Sequence, residues 1–103
     1  MLFNPSGHRI LIIDDEPENL RLIAAFLEQQ GMDVMLASSG QEGVALAENG
    51  QPDLILLDII MTELDGFETI ELLKKNPKTE TIPVLFLTAL TEIEQKLKAF
   101  AVG

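Results

Sequence analysis

HRILIIDDEPENL, residues 8–20, joins a run of four apolar residues to a cluster of acids. Residues 10–13 are continuous and mostly β-branched, which is typical of a strand buried on both faces of a sheet. Four carboxylates follow directly: Asp14, Asp15, Glu16 and Glu18. Like charges this close repel one another unless a positive group lies among them. The cluster fits either a solvated loop whose acids favour the start of the next helix or a site for a divalent cation.

The rest of the chain repeats the order of apolar strand and amphipathic helix. Strands are predicted at residues 10–13, 32–37, 54–57 and 83–87. Helices are predicted from Pro17 to about residue 30, over 40–49, from residue 66 onward and over 92–101. A chain in which strand and helix alternate four times favours an α/β fold, with a parallel sheet covered by helices on both faces.

Capping residues bound these helices. Pro17 suits the first turn of a helix, and Gly31 suits the position just past its end. Ser39 and Glu42 have the spacing of a capping box for the second helix, which Gly50 is expected to close. Three apolar residues mark one face of the third helix: Phe67, Ile70 and Leu73.

Length and composition limit the class of protein. The chain has 103 residues, 47% of them hydrophobic, and no cysteine, so it reads as one globular domain in a reducing, cytoplasmic compartment. Residues 1–8 read as a short polar arm and residues 9–103 as the domain. No apolar run approaches the roughly 20 residues that span a bilayer, so no membrane association is expected. The net charge of −10 argues against direct nucleic-acid binding and allows a basic partner.

Polar residues follow three of the four predicted strands where each strand ends. Asp14 and Asp15 follow the first strand, Asp58 the third and Thr88 the fourth. Each alone could be a helix cap or a turn residue. In open parallel sheets, however, ligands bind beyond the carboxyl ends of the strands, so these groups are expected to share one rim. Hard oxygen ligands with no histidine or cysteine nearby suit Mg²⁺.

The chain resembles the response-regulator receiver domains of two-component signalling. The matching stretches are residues 12–20, 37–40, 52–58 with Met61 and 65–66, and 82–89. They fall in the family's order and span nearly the whole chain. The resemblance implies a flavodoxin-like doubly wound parallel sheet with strand order 2-1-3-4, lacking a fifth strand and helix.

The resemblance also implies a site. Asp58 looks like the phosphoacceptor, since a carboxylate can act as a nucleophile and form an aspartyl phosphate. Asp15, Asp58 and the backbone carbonyl of Ile60 would hold Mg²⁺, with Asp14 supporting the metal through water.

Two further groups would contact the phosphoryl oxygens: the Thr88 hydroxyl and the Ala89 backbone N–H. The phosphoryl donor would be a phosphohistidine on a histidine kinase or phosphotransfer protein. His8, in the arm, is expected to be solvated and to take no part in this transfer.

Two departures from the family pattern bear on these expectations. Thr62 stands after Met61, where the family commonly has proline. The sequence given ends at Gly103, where a fifth strand carrying a lysine is expected. We therefore expect impaired phosphorylation and a homo-oligomer, formed through the exposed edge of the fourth strand or by exchange of helix 92–101. The family pattern also leaves room for an output domain in the parent protein.

Other classes of protein fit less well. A haloacid-dehalogenase-type phosphatase needs a second acid two residues after its aspartate nucleophile, and that position is Ile60. A dinucleotide-binding domain needs a glycine-rich turn after its first strand, where this chain has the acids of residues 14–19. A non-phosphorylated interaction module on the same fold remains the alternative, which the expected absence of the lysine favours.

Overall fold

The computed structural model describes residues 7–58 and 66–87. Its elements, in chain order, are β1 (Arg9–Ile13), α1 (Pro17–Gln29), β2 (Asp33–Ala37), α2 (Gly40–Gly50), β3 (Leu54–Asp58), α3 (Gly66–Lys75) and β4 (Val84–Leu87). The four strands form one parallel sheet in the order β2-β1-β3-β4. The predicted α/β class and strand order 2-1-3-4 are confirmed. The predicted fourth helix, over 92–101, lies outside the described residues.

Strand β1 lies in the middle of the sheet, and its residues supply two cores. It pairs with β2 on one side and β3 on the other. Leu11 and Ile13 pack on the face that α2 and α3 cover, whereas Ile10 and Ile12 pack against α1 on the opposite face. None of these four side chains is more than 1% exposed. The continuous apolar run is required because both faces of β1 are covered.

The predicted capping residues of the first two helices agree with the structure. Pro17 is the first residue of α1, and Gly31 has a positive φ of 87° just past its end. The Ser39 Oγ accepts a hydrogen bond from the Glu42 backbone N–H at 3.1 Å. Glu42 Oε1 in turn accepts from the backbone N–H of Ser38, one residue before the cap, at 3.3 Å.

Helix α2 ends one residue later than predicted. Gly50 still belongs to the helix, and the left-handed residue after it is Gln51, with φ 46°. The Gln51 Nε2 donates to three backbone carbonyls, those of Ala47, Glu48 and Lys78, and so offsets the backbone strain. A Cβ on Gly50 would lie 2.7 Å from the sulfur of Met35, a flexible side chain.

Glycine also sets the spacing between α2 and β1. A Cβ on Gly43 would overlap Ile13 Cδ1 and lie 2.7 Å from its Cγ1. Both residues are buried. The helix therefore packs against the carboxyl end of β1 more closely than any residue with a side chain allows.

The predicted inner face of α3 is wrong at one position. Leu73 is buried and Ile70 packs against the core, but Phe67 is 59% exposed and Thr69 is fully buried instead. The Phe67 ring lies against Phe86 of β4, with ring centroids 5.7 Å apart. Phe86 is itself 43% exposed, so this aromatic pair lies at the surface.

Backbone and side-chain hydrogen bonds close the amino end of the sheet. The Arg9 N–H donates to Asp53 Oδ2 at 2.8 Å, and the Asp53 N–H donates to the Arg9 carbonyl at 2.7 Å. The Arg9 guanidinium also donates to the Gly50 carbonyl at 2.7 Å. Within the predicted arm, Gly7 donates to the Gly31 carbonyl.

Over the described ranges, no helix is long and apolar enough to cross a bilayer.

Candidate metal centre

Neighbouring parallel strands bring three carboxylates to one edge of the sheet. Ile13 of β1 is in register with Leu57 of β3, so the next residues, Asp14 and Asp58, lie side by side. Asp15 follows Asp14. One carboxylate oxygen from each of the three aspartates lies within 4.8 Å of the other two.

Burial and mutual proximity of these carboxylates favour binding of a cation among them. Asp14 is 2% exposed and Asp58 is 4% exposed, and Asp15 is half-buried. Buried carboxylates need hydrogen bonds or a positive partner, and three close together also repel one another. A set of hard oxygen donors without histidine or cysteine fits Mg²⁺, which binds through a few carboxylates and keeps several waters. The three aspartates predicted from the sequence are therefore brought together in an arrangement suited to a divalent cation.

Asp14 is also held by its own segment of chain. Its Oδ1 accepts the Glu16 backbone N–H at 3.0 Å, and its Oδ2 accepts the Asn19 side-chain amide at 3.2 Å. Its own N–H donates to the Ala37 carbonyl of β2 at 3.0 Å. Sequence reasoning gave Asn19 no role. The signal available was an amide in the first turn of the helix that follows the acids.

The remaining predicted site groups, the Ile60 carbonyl, the Thr88 hydroxyl and the Ala89 N–H, lie outside the described residues. The described strands β3 and β4 end side by side at this edge of the sheet. Asp58 is the last residue of β3, and its register partner Leu87 is the last residue of β4. Thr88 follows Leu87 directly in the sequence.

Comparison with known proteins identifies the family. Residues 10–103 match the model of the response regulator receiver domain, and the chain belongs to this family. It is 46% identical over 95 residues to the DNA-binding dual master transcriptional regulator RpaA of Synechocystis sp., an alignment that covers 92% of this chain and 39% of that protein. It is 40% identical over 89 residues to Protein PilH of Pseudomonas aeruginosa, covering 86% of this chain and 74% of PilH.

A solved structure supports the same assignment. The N-terminal domain of a response regulator receiver protein from Methanoculleus marisnigri aligns with a TM-score of 0.78 at 38% identity, over 87% of this chain and 76% of that chain. Receiver domains are signalling domains of two-component systems, and phosphorylation and Mg²⁺ binding at an acidic cluster are general properties of the family. They interact with histidine kinases and output domains. This chain spans only 39% of the length of RpaA, so it corresponds to one part of that regulator.

Proposed function

We propose that this chain is a phosphoacceptor domain, in which Asp58 takes a phosphoryl group from a phosphohistidine on a histidine kinase or phosphotransfer protein, in the presence of Mg²⁺. The observation that carries the proposal is the convergence of Asp14, Asp15 and Asp58 within 4.8 Å, two of them almost fully buried. An acidic group of this kind is costly for stability, and a bound cation gives a reason for it.

The transfer is a substitution at phosphorus. One carboxylate oxygen of Asp58 forms the new P–O bond as the P–N bond to the donor imidazole breaks. The electron pair of that bond remains on the imidazole nitrogen, which takes a proton from water. The protein's part is to hold Asp58 in line with the donor, and its position at the end of a buried strand restricts its movement.

The metal would be held by the Asp15 and Asp58 carboxylates and the Ile60 carbonyl, with Asp14 acting through water. Bound Mg²⁺ would offset the charge of the carboxylates and of the incoming phosphoryl oxygens. Thr88 and Ala89 would donate hydrogen bonds to those oxygens, a role that rests on the family pattern.

Labelling with acetyl phosphate tests the proposal. In millimolar Mg²⁺ we expect the chain to gain the mass of one phosphoryl group, slowly and in low yield if the impairment predicted from the sequence holds, with the modified peptide containing Asp58. Asp58→Asn should abolish the gain and chelation of the metal should prevent it. Asp33→Asn is the matched control, because Asp33 is an exposed aspartate at the amino end of β2 and should label normally.

Metal binding and labelling are to be measured separately. A wild-type chain that binds Mg²⁺ at these aspartates and never takes label would contradict the proposal and favour an interaction module without phosphorylation. Label that persists in Asp58→Asn would place the acceptor elsewhere.

A further inference from the structure

Both oxygens of the Asp14 carboxylate accept a hydrogen bond from the protein. The Glu16 backbone N–H donates to Oδ1, and the Asn19 side chain donates to Oδ2. Each oxygen has a second lone pair, so the carboxylate can still accept from a metal-bound water. With a donor on each oxygen, the plane of the carboxylate is set by the protein before any ion arrives.

The two donors differ in origin. The Glu16 contact is between residues two apart in the sequence, in the turn that leads into α1. The Asn19 contact comes from the helix itself, from a half-buried side chain in its first turn. The terminal torsion of an aspartate is soft, and one hydrogen bond to a single oxygen restrains it less than donors on both oxygens do. Asn19 supplies the second contact that fixes the plane.

We propose that Asn19 is a positioning residue for the metal centre: its amide holds the Asp14 carboxylate in the orientation that brings it within 4.8 Å of those of Asp15 and Asp58. The inference rests on the proposed Mg²⁺ binding. Partners that orient direct metal ligands contribute about tenfold or more to affinity, and because Asp14 acts through water we expect loss of its partner to weaken binding by roughly threefold to tenfold.

A purely structural role is the competing account. The Glu16 side chain makes no capping hydrogen bond at the start of α1, and Asp14 accepts the Glu16 N–H. Asn19 would then serve only to keep Asp14 in place as a substitute cap. On this account, loss of the Asn19 amide lowers stability and leaves the affinity for Mg²⁺ unchanged.

Titration of the free protein with Mg²⁺, followed by NMR, separates the two accounts. The chain has neither tryptophan nor tyrosine, so backbone amide shifts near Glu16 are the better reporter. Asn19→Leu keeps the approximate size and removes the donor, and we expect the Mg²⁺ dissociation constant to be roughly threefold to tenfold larger. Asn19→Gln keeps an amide donor and should recover part of that loss. Asn49→Leu, an exposed asparagine on α2, is the control and should match wild type.

A double-variant cycle shows whether Asn19 acts through Asp14. In an Asp14→Asn background, Asn19→Leu should cause little further loss of affinity. In Asn19→Leu, the Mg²⁺ concentration that gives half of the maximal labelling rate should rise. The maximal rate itself, measured at saturating Mg²⁺, should change far less.

Three results would overturn the inference. An Asn19→Leu variant with wild-type Mg²⁺ affinity would assign Asn19 a structural role only, and if that variant does not fold, wild-type affinity in Asn19→Ser would do the same. An equal loss in the Asp14→Asn background would show that Asn19 does not act through Asp14. A wild-type chain that does not respond to Mg²⁺ would remove the proposed metal site as well, which distinguishes that failure from the first two.

Discussion

The two ends of the sheet differ in how their charged groups are placed. At the amino end, charged and polar groups have hydrogen-bond partners. The Arg9 N–H donates to the Asp53 carboxylate, the Asp53 N–H donates to the Arg9 carbonyl, and the Gln51 side chain donates to three carbonyls. Lys74 likewise donates to the carbonyls of Glu80 and Ile82 near the start of β4. At the carboxyl end, three carboxylates of like charge lie within 4.8 Å of one another.

The same strands therefore carry groups that stabilise the fold at one end and the groups of the candidate site at the other. Groups that satisfy each other at the amino end stabilise the fold and leave little capacity for a ligand. The carboxylates at the carboxyl end repel one another, and a cation bound among them would offset that repulsion. Local conflict of this kind is expected at functional sites, where the surrounding structure maintains it.

The largest effect is expected where helix packing supports the carboxyl end. Gly43→Ala would place a Cβ 2.7 Å from Ile13 Cγ1 and 3.3 Å from its Cγ2, and because this branched side chain is fully buried, relief of the overlap requires a shift of the core around it. We expect a loss of about 1–3 kcal/mol in the free energy of unfolding, measured by urea denaturation. The strain falls on β1 just before Asp14, so Mg²⁺ affinity should fall as well.

Gly50→Ala is the matched control, the same change on the same helix at the amino end. Its Cβ would meet the Met35 side chain, which is unbranched and can move. This variant should be at least as stable as wild type and should bind Mg²⁺ normally. If Gly43→Ala were equally harmless, the close approach of α2 to β1 would not constrain the site.

The next effect concerns metal-linked stability. A ligand at about ten times its dissociation constant stabilises a protein by about 1.4 kcal/mol. We therefore expect Mg²⁺ to raise the melting temperature of the wild-type chain. Asp15→Asn should show little Mg²⁺-dependent stabilisation and should be more stable than wild type without metal, because one of three like charges is gone.

Thermal denaturation with and without Mg²⁺ measures the stability of the metal-free chain and the stabilisation by Mg²⁺. Asp33→Asn again serves as the control. An Asp15→Asn chain less stable than wild type in the absence of metal would show that the three carboxylates are not in conflict.

The smallest effect is expected at the amino end. Gln51→Ala keeps the left-handed backbone and removes the three side-chain contacts, so a loss of about 1 kcal/mol is expected. Gln51→Gly removes the same contacts and also the backbone strain, so it should lie within about 0.5 kcal/mol of wild type. Urea denaturation would rank the two. Neither change should alter Mg²⁺ affinity, and a change in affinity would show that the two ends are coupled.

Much of the fold follows from local patterns in the sequence. The run at residues 10–13 and the capping residues Pro17, Gly31 and Ser39 predicted their elements because each signal acts within a few residues. The sequence predictions that were wrong concern features that depend on contacts between distant residues. The left-handed Gln51 is stabilised partly by the Lys78 carbonyl, 27 residues away. Phe67 has the spacing of a core residue, and its place at the surface beside Phe86 depends on how α3 lies against β4.

The residues of the candidate site also fall into those that local patterns predict and those that depend on the folded structure. Asp14, Asp15 and Asp58 were found because the carboxyl ends of parallel strands share one edge, a rule that needs only the strand positions. The role of Asn19 was missed because it depends on the orientation of one side chain in the first turn of α1. The expected oligomer and the roles of Ile60, Thr88 and Ala89 stay predictions.

The bond pair between Arg9 and Asp53 also bears on the order of folding. It joins residues 44 apart in the sequence, whereas β1 and β2 are joined through a single helix. Closing a longer loop costs more chain entropy, so we expect β1, α1 and β2 to assemble before β3 docks. Contacts formed after the rate-limiting step mainly slow unfolding. The amino-end pairing would then determine how long the folded chain persists, with little influence on how fast it forms.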